Sequence, residues 1–254
     1  MLIAVPPTAC GFPAATSVLE LEPLLAFVRQ CRPDAVSLLP PVGADDLPAG
    51  AALAAMKERL EDEGLRVVPG CWEIPARAPV ADEGWQAEAV FDGRALLAAL
   101  GEAAAEPLVV RWLAPAETPA ARAALVGCLE RWGEEAERSR VRIALNGLAP
   151  MVARSVLRQL GSEWLGVCRD ALPSGRPQEP GDSTLALLYA GGSEGLHQTG
   201  GWTRLLPSLR RLQRNVPLLL DGLATPLEYA GAIGFFRGLL AGGASGAPAL
   251  QISS

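Results

Sequence analysis

Short apolar runs recur along this chain between longer stretches in which apolar positions repeat at helical spacing. The runs predict strands at Leu2–Val5, Ala35–Leu39, Arg66–Gly70, Leu108–Leu113, Arg142–Leu145, Trp164–Cys168, Glu194–His197 and Val216–Leu220. They are apolar at successive positions rather than at alternate ones, as expected of parallel strands covered on both faces. The seventh is poor in strand formers and is assigned because the repeat requires a strand there. Between the runs lie helix signals. Ser17 with Glu20, and Thr225-Pro226-Leu227-Glu228, read as capping boxes. Thr118-Pro119 opens a helix in which Leu125, Cys128, Leu129 and Trp132 form one apolar stripe. The helix before Arg66 closes on Gly64, suited to a left-handed cap.

Eight such units in 254 residues come to about 30 residues each, the size of a (β/α)8 TIM barrel. An open doubly wound sheet would place G-x-G-x-x-G after the first strand, and that motif is absent. The expectation is one TIM-barrel domain over residues 1–240, with 241–254 as a loosely attached tail. Residues 75–93 and 170–183 read as the third and sixth βα loops.

Composition narrows the function. The chain is 50% hydrophobic, 20% charged and carries a formal charge of -6, with no basic face to attract a nucleic acid. Pro, Gly or Arg interrupts each apolar stretch before eighteen residues, so no membrane span is expected, and the N-terminus lacks a basic leader. Five scattered cysteines without a CxxC pair fit a reduced, cytoplasmic setting. One histidine, His197, excludes sites that need two imidazoles, and one lysine, Lys57, sits in a helical, charged context unsuited to Schiff-base chemistry.

In a barrel of this kind chemistry gathers where strands end. Four consecutive expected strand ends carry Asn146, Cys168, His197 and Asp221: an amide oxygen, a thiolate, an imidazole and a carboxylate. This mixed set suits a divalent transition metal such as Mn, Fe or Zn better than Mg or Ca. Each residue also has a structural reading: Cys168 and His197 as core, Asn146-Gly147 and Asp221-Gly222 as turns. Trp72, Trp112 and Trp202 fall near strand ends, where they would stack on a sugar or pack helices on the barrel.

The stretches RIALNGLAP, LGVCRDALP, SEGLHQTGG and VPLLLDGLATPLEYAGAIGFFRGLLAGG resemble the second half of mannonate dehydratases, within the xylose-isomerase-like TIM-barrel group. AALAAMKERLEDEGLRVVPGCWEIP resembles the early helix and third strand of that family. The resemblance implies metal ligands His, Cys, His and Asp after strands five to eight. Cys168, His197 and Asp221 match three of them, and Asn146 replaces the first His. Gly222 stands where the family carries a His for proton transfer, which leaves Glu73, Asp170 or Tyr229 as acid or base, with Arg111 and Arg169 to clamp a substrate carboxylate. The function expected is that of a divalent-metal-dependent lyase or isomerase acting on a small sugar or sugar acid. The alternative is a catalytically degenerate barrel serving as a binding or interaction module. The expected partners are the sugar or sugar acid and a second copy of the chain, with neither nucleic acid nor membrane. A type-two apurinic endonuclease would need several His ligands and basic surface, which this chain lacks.

Overall fold

A computed structural model describes residues 2–6, 21–42, 50–102, 107–171, 184–190, 196, 202, 206, 207, 209 and 216–241; at 39–42, 50 and 102 only the backbone is described. Eight parallel strands close into a barrel in sequence order: β1 Leu2–Val5, β2 Ala35–Val42, β3 Arg66–Ile74, β4 Leu108–Trp112, β5 Ile143–Asn146, β6 Leu165–Asp170, β7 Thr184–Tyr189 and β8 Pro217–Leu220. The described helices are α1 Glu22–Cys31, α2 Gly50–Asp62, α3 Glu83–Glu102, α4 Pro119–Ser139, α5 Pro150–Leu160 and α6 Pro226–Ala241. The TIM barrel expected from the repeat is therefore the fold observed.

The expected seventh strand is a correction. Of residues 194–197 only Leu196 is described, and it is helical. β7 is Thr184–Tyr189, which pairs with β6 and β8. Only residues 171–183 join β6 to β7, so the strand arrives earlier than a regular unit would place it. A second correction concerns residues 75–93, expected as loop three: α3 already begins at Glu83. The capping box at Ser17 and Glu20, loop residues 172–183 and the tail 242–254 lie outside the described residues.

Helix starts follow local chemistry elsewhere. The Thr118 hydroxyl accepts from the Ala121 amide with Pro at the first positions of α4. Thr225 and Glu228 form the reciprocal box at α6: the Glu228 amide donates to the Thr225 hydroxyl at 3.2 Å, and the Thr225 amide to the Glu228 carboxylate at 3.0 Å. Gly64 takes φ +76, as its cap position requires.

Two apolar layers result. Ala4, Ala35, Val68, Cys71, Val109, Ala144, Cys168, Ala186, Leu188 and Leu219 fill the barrel interior. The outward positions of the same strands, among them Trp72, Trp112, Leu145, Leu187 and Tyr189, pack against the helices. Val68 and Cys71 share the interior although strict alternation forbids a spacing of three. Gly70, at φ +106, absorbs the extra residue, and β3 leaves it with Cys71 and Glu73 turned inward.

Candidate active site at the barrel mouth

The inward positions at the carboxyl ends of the strands change from apolar to polar. Glu73 of β3 is in register with Arg111 of β4, and Arg111 with Asn146 of β5. Arg111 Nη1 meets Glu73 Oε2 at 3.4 Å, with both side chains about one third exposed. Arg111 Nε is buried and has no partner. Across the mouth, Asn146 Nδ2 donates to Asp170 Oδ1 at 2.9 Å and to the Cys168 carbonyl at 3.2 Å. Asn146 is buried and Asp170 is exposed. Asp221 follows β8; its amide donates to the Tyr189 carbonyl, and its Oδ1 accepts from the Gly222 amide at 2.7 Å. Together with Pro6, Ser37 and Cys71 it lines a cavity of about 10 Å³ beneath the mouth, close to the space of a single water.

The outer faces of β3 and β4 explain why Glu73 and Arg111 meet. Their chain neighbours Trp72 and Trp112 face the helices and stack around Trp132 of α4, with ring centroids 5.0 and 6.3 Å away. Both are almost wholly buried. Trp202 packs on Tyr189 and Phe236. The three tryptophans are therefore core rather than a sugar-stacking surface: alternation turns Trp72 and Trp112 into the helix layer behind Glu73 and Arg111, and Trp202 is buried at a helical position. Gly147, at φ +83, lets the chain turn directly after Asn146; a Cβ there would lie 2.5 Å from the Trp112 carbonyl oxygen.

The expected metal donors are arranged differently from the expectation. Cys168 is buried one layer below the mouth. Burial above all, and then the Cys71 and Asp170 charges, push its thiol well above its ordinary value. The Cys71 thiol is pushed up to about 12, mainly by burial and then by Asp221. The Asn146 amide nitrogen is committed to Asp170 and to a strand carbonyl. Among the described residues no three His, Cys, Asp or Glu side chains are grouped to hold an ion. His197 lies outside the described residues, eight positions beyond the end of β7. Cys168, Asn146 and Asp221, the described members of the mixed sulfur, nitrogen and oxygen set, form no such group by themselves.

Of the other candidates, Glu73, Arg111 and Asp170 stand at the mouth. Arg169 lies on the outer face of β6, where its Nε donates to the Thr184 hydroxyl at 3.1 Å. Tyr229 is buried in α6. Ser37, inward on β2 and buried, was not singled out from the sequence; its signal was a lone hydroxyl inside the apolar run AVSLL.

No protein family model matches this chain, and no curated protein matches it. Solved structures do. An L-ribulose 3-epimerase superposes with TM-score 0.74 at 16% identity over 94% of both chains. A D-psicose 3-epimerase of Clostridium cellulolyticum, solved with D-tagatose, gives 0.74 at 12% identity over 94% of this chain and 99% of that one. The IolI protein, solved with a zinc atom, gives 0.58 at 12% identity over 97% and 100%. At these identities the likeness establishes the barrel fold that the chain shares with these proteins. No described helix is long and apolar enough to cross a membrane.

Proposed function

We propose that this barrel is a sugar isomerase of the epimerase kind, acting on a small sugar at a carbon beside a carbonyl. The observation that carries this reading is the pair of held carboxylates at the mouth. Glu73 is tied to Arg111 on β3 and β4, and Asp170 to Asn146 on β5 and β6. β3 and β6 stand three strands apart in a ring of eight, so the two acids approach a bound sugar from different sides.

Inverting such a carbon requires one group to remove its proton and another to return a proton to the opposite face. Glu73 takes the proton, and the electron pair of the broken C–H bond moves to the carbonyl oxygen as an enediolate. The Arg111 guanidinium, fixed beside Glu73, is placed to stabilise that charge in a partly water-excluded site. Asp170, carrying a proton from water at the exposed rim, delivers it to the other face. Return of the proton by Glu73 itself restores the substrate. Exchange with solvent resets both acids.

Charge at the mouth favours a neutral sugar over a sugar acid. Three carboxylates, Glu73, Asp170 and Asp221, face one guanidinium, so an anionic substrate would be repelled where a polyol would find hydrogen-bond partners. This speaks against the finer expectation of mannonate dehydration. Two of the superposed proteins, an L-ribulose 3-epimerase and a D-psicose 3-epimerase, support the same choice. A second reading, a barrel that binds sugar without turning it over, draws on the burial of Cys168 and the uncommitted metal set.

A panel of neutral ketopentoses and ketohexoses, followed by chromatography for interconversion at the carbon beside the carbonyl, tests the proposal. Interconversion that drops by about a hundredfold or more in Glu73→Gln and in Asp170→Asn is expected from loss of an acid or base. Saturable binding with no interconversion would establish the binding-only reading. Neither binding nor turnover across the panel would overturn both.

A further inference from the structure

The outer helix layer of a barrel meets water, so its outward positions are ordinarily polar. α4 follows this rule, with Arg122, Glu130, Arg131, Glu134 and Arg138 exposed. Its neighbour α3 does not. Between positions 87 and 98 the exposed residues of α3 are Ala87, Glu88, Phe91, Ala95 and Ala98, and Phe91 is 73% exposed. The other exposed large apolar side chains among the described residues, Leu113, Met151 and Leu227, stand where β4 ends or where α5 and α6 begin, at the rim of the mouth. Phe91 lies mid-helix, on the side of the barrel.

Beside Phe91 a groove of about 530 Å³ runs between α3 and α4, lined by Ala87, Val90, Arg94, Ala95 and Ala98 of α3 and by Glu135 of α4. We propose that this face is the interface between two copies of the chain, related by a two-fold axis, with Phe91 of each copy seated in the groove of the other. The interface stands apart from the sugar chemistry and does not depend on it.

Two observations single out a second copy as the occupant. The first is that ridge and groove are neighbours on one face. A two-fold axis pairs a surface patch with itself, so a protruding ring beside an apolar groove satisfies both features twice.

The second is charge. Phe91 stands three residues from Glu88 and three from Arg94, and three residues turn a helix about 60° short of a full circle. The two charged residues therefore flank Phe91 on opposite sides. Arg94 reaches Glu135 of α4, which puts the groove on the Arg94 side and Glu88 on the side away from α4. Seating Phe91 in the partner's groove carries Glu88 past that groove and over the α4 of the second copy. Arg131 is the residue that meets it there. It lies one turn before Glu135 on the same side of α4. Its chain neighbour Trp132 bonds the Ala89 carbonyl and lies against Gly93, so Arg131 is level with Phe91. Glu88 and Arg131 are both exposed, and among the described residues neither has an ion-pair partner. Dimerisation supplies one to each, twice over by symmetry.

Sedimentation velocity of the full-length protein across a concentration series tests this, with circular dichroism to check that each variant folds. A reversible dimer is expected. Phe91→Asp should weaken it by about a hundredfold or more, because two rings lose their burial and two charges enter the grooves. Glu88→Arg and Arg131→Glu should each weaken association about tenfold, since each sets like charges together at two places. Glu88→Arg/Arg131→Glu should return the dissociation constant to near the wild-type value. A wild-type chain still monomeric at about 0.1 mM leaves the face to a different partner and overturns the proposal. A dimer that Phe91→Asp leaves intact is built on another surface and overturns it equally. A double variant no tighter than either single change overturns the pairing of Glu88 with Arg131, and with it the two-fold arrangement.

Discussion

Replacing Gly93 by alanine sets helix propensity against packing, and packing should win. Gly93 lies in α3, where glycine costs about 1 kcal/mol relative to alanine in an open helix. A Cβ built there would reach the Trp132 indole, with Cε2 at 2.6 Å, Cδ1 at 2.8 Å and Nε1 closer still. Trp132 cannot swing away. It is fully buried between Trp72 and Trp112, and its Nε1 donates to the Ala89 carbonyl at 3.1 Å. Overpacking of this kind costs about 1–3 kcal/mol, and loss of the indole hydrogen bond adds about 1 kcal/mol. After subtraction of the helix gain, the variant should be about 1–3 kcal/mol less stable. For a chain of this size that is a melting temperature roughly 3–9 °C lower. Gly127 on α4 is the control: nothing lies within 4 Å of its built Cβ, so Gly127→Ala should gain up to about 1 kcal/mol. Thermal melts followed by far-ultraviolet circular dichroism measure both. Near-ultraviolet spectra should change only in Gly93→Ala, because only there do the tryptophans move. A Gly93→Ala melt at or above the wild-type temperature would refute the packing argument, and with it the claim that this cluster fixes Glu73 beside Arg111.

Asn146→Ala should lower stability by about 1–3 kcal/mol in urea unfolding, because Asn146 is buried and serves both the Cys168 carbonyl and Asp170; an unchanged midpoint would show that water replaces the amide. The buried thiols predict a loss of stability in alkali. Folding raises the Cys71 thiol to about 12 and the Cys128 thiol to about 11, against about 8.5 when unfolded. The folded state therefore holds protons that the unfolded state gives up. The contribution is complete below about pH 8.5 and is lost between there and about pH 11–12, at up to about 1.4 kcal/mol per pH unit per thiol. The same thiols should resist iodoacetamide at pH 8 until the protein unfolds, while half-buried Cys31 reacts earlier; rapid native labelling of Cys71 or Cys168 would contradict their burial.

The barrel was legible in the sequence because strands apolar on both faces, separated by capped helices, leave few other architectures. The missed strand shows the limit of that logic. TLALLY carries the same apolar signature as its neighbours, with Ala186 and Leu188 inward and Leu187 and Tyr189 outward. A repeat of regular length pointed past it to residues 194–197, since nothing in the pattern reveals a short crossover. With β7 ending at Tyr189, His197 comes eight positions later in the sequence, outside the described residues. The mouth was legible residue by residue: Glu73, Arg111, Asn146, Asp170 and Asp221 are all strand-end residues. Which of them act together was not, because it depends on the extra residue at Gly70 and on the tryptophans behind the sheet. Cys168 shows the opposite case, a residue at the expected strand end whose side chain is buried in the barrel interior.

The central claim is that Glu73 and Asp170 move a proton at a carbon beside a sugar carbonyl, and the most direct measurement is solvent exchange at that carbon. Neutral ketoses and their phosphates would be incubated with the protein in deuterium oxide and followed by proton NMR. The account predicts that the signal of that hydrogen disappears from both epimers, and that exchange slows by about a hundredfold or more in Glu73→Gln. It is contradicted if the folded wild-type protein exchanges no hydrogen in any of these sugars, or if Glu73→Gln and Asp170→Asn both exchange at the wild-type rate.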